Sequence, residues 1–238
     1  MFGLLDSTAA HGRTMPVTIG PGGLAPVVVL AGIFGVFGAW VGIPVAMAAL
    51  VGGIGGTASL LVHELGHVRA ARRSEGIRSA AVSLIWLGAA TRLEGRYESG
   101  REQARVAIAG PRASFAFAAA LLAAVFLPVP FAVKELVLLL VLFNVAIGVL
   151  NLLPAYPLDG HKLAVGLLWC ATGSERKARR IIRRIGVGWA VVELPSAAFL
   201  LVQRPPLGLA VVAMAASFFA QKLLCAKPTV QRERIPTA

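Results

Sequence analysis

Runs of apolar residues, separated by short polar or proline-containing breaks, dominate the pattern along the chain. A membrane-spanning helix needs roughly 20 mainly apolar residues. Six stretches approach or reach that length, and we interpret each as one span. They are Leu24–Trp40, Pro44–Val68, Ala104–Leu127, Phe131–Leu153, Gly186–Val202 and Leu207–Leu224. The pattern therefore predicts an all-α multi-pass membrane protein with six transmembrane helices.

The breaks between the spans indicate how the helices are connected. Short proline-containing turns at residues 128–130 and 205–206 predict that spans three and four form one helical hairpin, and spans five and six another. Four glycines at 52, 53, 55 and 56 predict close helix packing within the second span. We expect a single transmembrane domain over residues 1–238, with a core over about 44–170 and a C-terminal helical hairpin over about 186–225.

Two smaller elements are predicted in the polar stretches between spans. Ser79–Leu87 has the length and partial alternation of a strand, which predicts a small membrane-associated β element between spans two and three. The alternative is an interfacial loop anchored by Trp86. Glu175–Arg184 predicts a short basic helix on the lipid surface, with the isoleucines at 181, 182 and 185 turned inward.

Composition supports the membrane assignment and excludes other classes. Hydrophobic residues make up 57% of the chain, charged residues 14%, and the mean hydropathy is +0.78. Soluble domains have about 45–50% apolar and about 25% charged residues. Disorder is excluded for most of the chain, because disordered segments carry far less apolar surface. The two cysteines, Cys170 and Cys225, are far apart in apolar surroundings and do not indicate a disulfide scaffold.

Positive charge predicts the orientation of the spans. Lys and Arg collect in the short cytoplasmic loops of membrane proteins. With six spans, twenty of the 23 Lys and Arg residues fall on the side that also holds both termini. We therefore expect a cell-membrane protein with cytoplasmic termini, and we interpret the net charge of +12 mainly as a topology signal. A nucleic-acid partner is not expected, because the basic residues lie beside membrane ends.

The end of the second span carries a metal-binding pattern, His63-Glu64-Leu65-Gly66-His67. Residues i and i+4 share one face of a helix, so both imidazoles can reach one ion. In this H-E-x-x-H arrangement the glutamate serves as the general base of zinc peptidases. The alternative is a span that simply ends here among the lipid headgroups. That alternative explains Glu64 but not two histidines at ligand spacing.

A third ligand is predicted at the end of the fourth span. A catalytic zinc site has three protein ligands and one open position. Asp159 follows Pro154 and Pro157, which should end or unwind the helix. The predicted topology brings this span end to the same membrane face as the two histidines. The alternative is a surface Pro-Asp-Gly turn without a function.

Together these motifs resemble the site-2 protease family of intramembrane zinc metalloproteases. The hallmarks of that family are H-E-x-x-H on one span and N-x-x-P-x-x-x-L-D-G on a later one, here His63–His67 and Asn151–Gly160. Gly110-Pro111 with Ser114 resembles the family's G-P-x-x-N/S element, and Asn144 also matches a common pattern. The stretch between spans two and three is similar to the compact, sporulation-type branch, which has no PDZ domain.

The resemblance implies a function and a set of site residues. It implies a Zn²⁺ cofactor on the two motif histidines and Asp159, with Glu64 as the general base. It gives Asn151 a role in binding the substrate backbone or the transition state, equally weighted against a helix cap. Asn144 matches a substrate-binding position, although an interhelical hydrogen bond is the favoured interpretation. The implied substrates are single-span proteins, such as an anti-sigma factor or a membrane-tethered transcription factor, cut during regulated intramembrane proteolysis.

Two rival functions and one departure from the family pattern stay open. A prenyl-protein-type membrane metalloprotease would need a later ligand, and only Glu193 is available in a late span. A non-catalytic zinc-binding scaffold or a transporter is the second rival. His161 stands where the family usually has a second glycine. It is either a hydrogen-bonding neighbour of the metal ligands or, as we favour, an exposed residue.

Overall fold

A computed structural model of the chain describes residues 17–19, 23–85, 88–154 and 158–185. The predicted fifth and sixth spans, Trp86 and Glu193 lie outside the described residues. The elements in chain order are β1 (Val17–Ile19), α1 (Ala25–Val41), α2 (Val45–Val51), α3 (Thr57–Ala71), β2 (Ile77–Ile85), β3 (Gly88–Gly95), α4 (Gly100–Ala124), α5 (Phe131–Asn151), α6 (Asp159–Thr172) and α7 (175–185).

The described part of the chain is mostly helical, as expected of a membrane protein. Three helical stretches are long and apolar enough to cross a membrane: Val45–Ala71, Gly100–Ala124 and Phe131–Asn151. They correspond to the predicted spans two, three and four. The first predicted span is the shorter apolar helix α1, of 17 residues. Six spans therefore stay a prediction.

A glycine-rich π-helical turn, Gly52–Gly56, joins α2 to α3 within one continuous helical stretch. A Cβ atom at Gly52 would overlap the side chain of Phe34 on α1, and one at Gly55 would lie 2.8 Å from Leu140 on α5. These glycines therefore let two neighbouring helices approach closely, as the sequence predicted. π-Helical turns of this kind are frequent next to functional sites.

The β element between α3 and α4 is confirmed, and it extends further than predicted. β2 and β3 form an antiparallel pair from Ile77↔Gly95 to Ile85↔Gly88. β1, which the sequence interpretation missed, pairs in parallel with the other edge of β2, with Val17 opposite Val82. Among the described residues, no strand pairs with the outer edge of β3.

Two compact units make up the structure, and the first contains residues up to 98 together with 105–149. Its core joins α3, the sheet and α4 through Val68, Ala71, Val82 and Val106, each at most 3% exposed. Gly66 on α3 faces α4 closely, because a Cβ there would lie 2.6 Å from the carbonyl oxygen of Ala109. This packing holds the histidine-bearing helix against both the sheet and α4.

The second unit contains residues 99–104 and those from 150 onward. Here α6 packs on α7 through Val165, Ala178 and Ile182, each at most 3% exposed. The expectation for α7 is corrected in one respect: Ile182 is buried, whereas Ile181 and Ile185 are exposed. Only one of the three isoleucines lies on the helix face that packs against α6.

Candidate metal centre

His63 and His67 lie one turn apart on α3, and both side chains are buried. Their Nε2 atoms are 3.3 Å apart. The carbonyl oxygen of Val106 accepts a hydrogen bond from Nδ1 of His67, at 2.8 Å, which leaves the Nε2 lone pair of that ring for a ligand. Nδ1 of His63 is 2.9 Å from the hydroxyl of Ser114. Both rings are therefore oriented from behind by α4 and converge on one point.

Gly110 on α4 provides the space for the two rings. A Cβ atom at this position would overlap Nε2 of His67 and lie 2.7 Å from Nε2 of His63. Val106, Gly110 and Ser114 follow one another at intervals of four residues, so they share one face of α4. In the G-P-x-x-S element, Ser114 thus forms a hydrogen bond with the His63 ring, and Gly110 stands where a side chain would overlap the two rings.

Asp159 is the first residue of α6, and its side chain is buried. The amino end of a helix favours a negatively charged side chain, and the Lys162 ammonium lies 3.2 Å from the carboxylate. The next residue, Gly160, has to be a glycine, because a Cβ there would overlap the carbonyl oxygens of Leu152 and Leu153. The L-D-G motif therefore starts a helix directly against the segment that follows α5.

His63 and His67 belong to the first unit, and Asp159, on the second unit, stays the predicted third ligand. Two imidazole nitrogens and one carboxylate oxygen are a donor set that zinc accepts, and three protein ligands are the number in catalytic zinc sites. The hydrogen bonds behind both rings are of the kind that metal-binding histidines almost always have. By donor chemistry and burial, the residues present fit Zn²⁺.

Glu64 lies on α3 between the two histidines and is partly buried. Its Oε2 atom accepts a hydrogen bond of 2.6 Å from the hydroxyl of Thr91 on β3. The carboxylate is thus tied to the sheet as well as carried by the metal-binding helix. The sequence interpretation missed Thr91, because no spacing rule connects a threonine on a strand with a helix 27 residues earlier.

The other predicted site residues have different surroundings. Asn144 is fully buried on α5, and its amide donates hydrogen bonds to the Ser59 hydroxyl on α3 and to Leu140 O, both at 2.8 Å. The favoured interhelical hydrogen bond is therefore present. Asn151 is the last residue of α5 and is partly buried. The substrate-binding roles of both asparagines stay predictions.

His161 is half-buried rather than exposed as favoured from the sequence. Burial lowers the pKa of its imidazole, and the nearby positive charges of Arg179 and Lys162 lower it further. Near neutral pH the ring is therefore mainly uncharged. This state is compatible with either of the interpretations that the sequence left open.

The fold and these residues together define a class of protein: a helical membrane protein with two buried histidines at metal-ligand spacing, a glutamate between them, and a buried aspartate at the start of a later helix. The model of peptidase family M50 matches residues 53–135 and 129–192, which is more than half of the chain. The chain therefore belongs to peptidase family M50, and the resemblance to site-2 proteases is confirmed.

Curated relatives carry names of the same kind. A Synechocystis protein named as a zinc metalloprotease is 32% identical over 58% of this chain and 37% of its own length. Rip3 of Mycobacterium tuberculosis, also named as a zinc metalloprotease, is 36% identical over 51% of this chain and 32% of its own. The match with these relatives spans only about a third of their length.

A solved structure agrees with the fold. The site-2 protease from Methanocaldococcus jannaschii superposes with a TM-score of 0.56, covering 86% of this chain and 89% of the other, at 22% sequence identity. At this level of identity the likeness concerns the fold alone.

Proposed function

We propose that the chain is a zinc metalloprotease that hydrolyses peptide bonds within or near the transmembrane segment of single-span membrane proteins. The observation that carries the proposal is the buried pair of His63 and His67, with Nε2 atoms 3.3 Å apart, beside Glu64 on an apolar helix. Membership of peptidase family M50 and the names of the relatives support the same chemistry.

The residues divide the proposed reaction between them. Zinc at this centre would supply Lewis-acid chemistry that makes water a nucleophile near neutral pH and polarises a peptide carbonyl. Glu64 is the general base: its carboxylate removes a proton from the attacking water and passes that proton to the leaving nitrogen. Both histidine rings are oriented as ligands by their hydrogen bonds to α4. Asp159 contributes the negative charge among the three ligands.

The sheet offers a way to hold the substrate. A helical substrate hides its peptide bonds in its own hydrogen bonds, so a segment must unwind before cleavage. An extended segment can add to an exposed strand edge through main-chain hydrogen bonds. In the described part of the chain the outer edge of β3 has no partner, and Thr91 on this strand contacts Glu64. We propose that the unwound segment binds along β3 and that Asn151 contacts its backbone.

The cellular setting follows from the family and from the charge pattern. We propose a multi-pass cell-membrane protein with cytoplasmic termini, because the basic residues collect on one side of the predicted spans. Regulated proteolysis of an anti-sigma factor or a membrane-tethered transcription factor is the role that the resemblance to site-2 proteases implies. A non-catalytic zinc-binding scaffold or a transporter is the alternative, and an intact Glu64 beside the ligands favours the protease.

Cleavage by a Glu64→Gln variant tests the proposal. The full chain is co-expressed with tagged single-span candidate proteins, and cleavage is followed by the size of the tagged fragment. Wild type is expected to release a shortened fragment, and Glu64→Gln to release none while it keeps its zinc. Glu75→Gln, an exposed carboxylate in the turn before β2, is the matched control and should cleave like wild type. Equal cleavage by Glu64→Gln would reject the protease in favour of another activity.

A further inference from the structure

The hydroxyl of Thr91 forms a short hydrogen bond to the carboxylate of Glu64. The separation of Oγ1 and Oε2 is 2.6 Å, within the range of charge-assisted O–H···O⁻ hydrogen bonds. An ionised carboxylate only accepts hydrogen bonds, so the threonine is the donor. Oγ1 also lies 3.2 Å from the main-chain oxygen of Glu64, so the shorter contact carries the proton. The other oxygen, Oε1, makes no hydrogen bond to any described residue.

The position of Thr91 is fixed by the sheet and by the core beneath it. Thr91 pairs with Val82 in the β2–β3 register, and Val82 is 1% exposed. The cluster around Val82 includes Val68 and Ala71 of α3, the helix that carries Glu64. A β-branched side chain on a strand has few χ1 rotamers, which restricts the direction of the hydroxyl. The strand therefore presents one rigid donor to the middle of the H-E-x-x-H motif.

We infer that Thr91 is a positioning residue for Glu64: it holds Oε2 so that Oε1 is directed at the reacting water. The inference rests on the proposed function, since it assigns a role within that reaction. The Glu64 side chain has three rotatable bonds. Without the hydrogen bond from Thr91 it would populate several rotamers. Thr91 would thus act on proton transfer and leave the binding of zinc and substrate unchanged.

Two substitutions separate the hydroxyl from the shape of the side chain. Thr91→Val replaces the hydroxyl by a methyl group of similar size, whereas Thr91→Ser keeps the donor. The control is Ser83→Ala on β2. This substitution also removes a hydroxyl from the sheet, but that hydroxyl is hydrogen-bonded to Thr18 and not to Glu64. All are purified as full-length chains in detergent, together with wild type and Glu64→Gln. Zinc content and thermal unfolding are measured first.

Kinetics are measured with fluorescein-labelled casein, an unfolded probe that already exposes its peptide bonds. We expect Thr91→Val to lower kcat about 10- to 100-fold, the effect of losing a hydrogen bond to a charged group, with KM and zinc content unchanged. Thr91→Ser should restore kcat to within about threefold of wild type, and Ser83→Ala should match wild type. Wild-type kcat in Thr91→Val, or an equal loss in Thr91→Ser, would overturn the inference.

An infrared measurement tests the hydrogen bond without any turnover. In protein with ¹³C-labelled glutamate, the Glu64 carboxylate band is identified by its loss in Glu64→Gln. We expect this band to shift in Thr91→Val and to stay in place in Ser83→Ala. An unshifted band would overturn the inference even if casein is not cleaved. Absence of any Glu64-dependent cleavage, with the band shifted as expected, would reject the proposed function but not the contact.

Discussion

At the scale of single residues, the centre depends on what stands behind the two imidazoles. Each ring is fixed through its Nδ1 atom by α4, once by a hydroxyl and once by a main-chain carbonyl. Such partners set the ring orientation and which nitrogen is left for the metal. The two histidines could be singled out from their spacing alone. The groups that orient the two rings could be predicted only where the family motif includes them, as it does Ser114 but not the carbonyl of Val106.

Ser114→Ala removes the partner of the His63 ring. We expect the affinity for zinc to fall about 10- to 100-fold, because the ring loses the group that orients it. The affinity is measured by competition with a chelator of known zinc affinity. Ser59→Ala, an equally buried hydroxyl on α3 that contacts Asn144, is the control and should bind zinc like wild type. Unchanged affinity in Ser114→Ala would show that α4 does not orient the ring.

Gly110→Ala places a methyl group where the two Nε2 atoms face α4. Because that carbon would overlap His67, we expect the affinity for zinc to fall by roughly 100-fold or more. This is the upper end of the affinity losses seen when the groups around metal ligands are mutated. Zinc content of the purified variant is the measurement. Gly32→Ala is the matched control, since its added carbon meets nothing within 4 Å. Full zinc occupancy in Gly110→Ala would contradict the described geometry.

At the scale of elements, apolar runs predicted the long helices well. The predicted spans two to four coincide with described helices within a few residues, because about 20 apolar residues have few other stable arrangements in a membrane. The start of α4 was placed four residues too late, since its first turn, Gly100–Gln103, is polar. β1 was missed because three residues carry no period, and its pairing with β2 is a tertiary contact.

The hydrogen bond between Asn144 and Ser59 joins α5 to α3. A double-mutant cycle of Asn144→Ala and Ser59→Ala should give a coupling energy of about 0.6 kcal/mol, the average for side-chain hydrogen bonds between membrane helices. Thermal or denaturant-induced unfolding in detergent provides the free energies. Additive effects of the two substitutions would mean that the contact does not stabilise the helix pair. In that case the predicted substrate role of Asn144 would become the better explanation of its polarity.

At the scale of the whole molecule, the proposed zinc ligands are far apart in the sequence. His63 and His67 belong to the second predicted span, whereas the predicted third ligand, Asp159, follows the fourth. The topology derived from positive charges predicts that the three side chains meet, because it places both span ends at the same membrane face. The sequence could not predict the hydrogen bond between Thr91 and Glu64, which depends on how the sheet packs.

Removal of the metal tests the dependence of activity on zinc. Treatment with 1,10-phenanthroline should abolish cleavage, and added Zn²⁺ should restore it. Mg²⁺ should not, because it prefers six oxygen ligands to imidazole nitrogen. Circular dichroism should stay largely helical, since the packing of α3 on the sheet does not require the ion. Activity that survives complete metal removal would exclude the proposed chemistry.

The most direct measurement is zinc K-edge X-ray absorption on the purified full-length protein, combined with the zinc-to-protein ratio. We expect one zinc per chain, bound by nitrogen and oxygen ligands at about 2.0–2.2 Å, with two imidazoles and no sulfur. Asp159→Ala should lower the zinc occupancy and change the contribution of oxygen ligands to the spectrum, while the scattering from the two imidazoles persists. A spectrum with sulfur ligands, or purified protein that binds no zinc, would contradict the account.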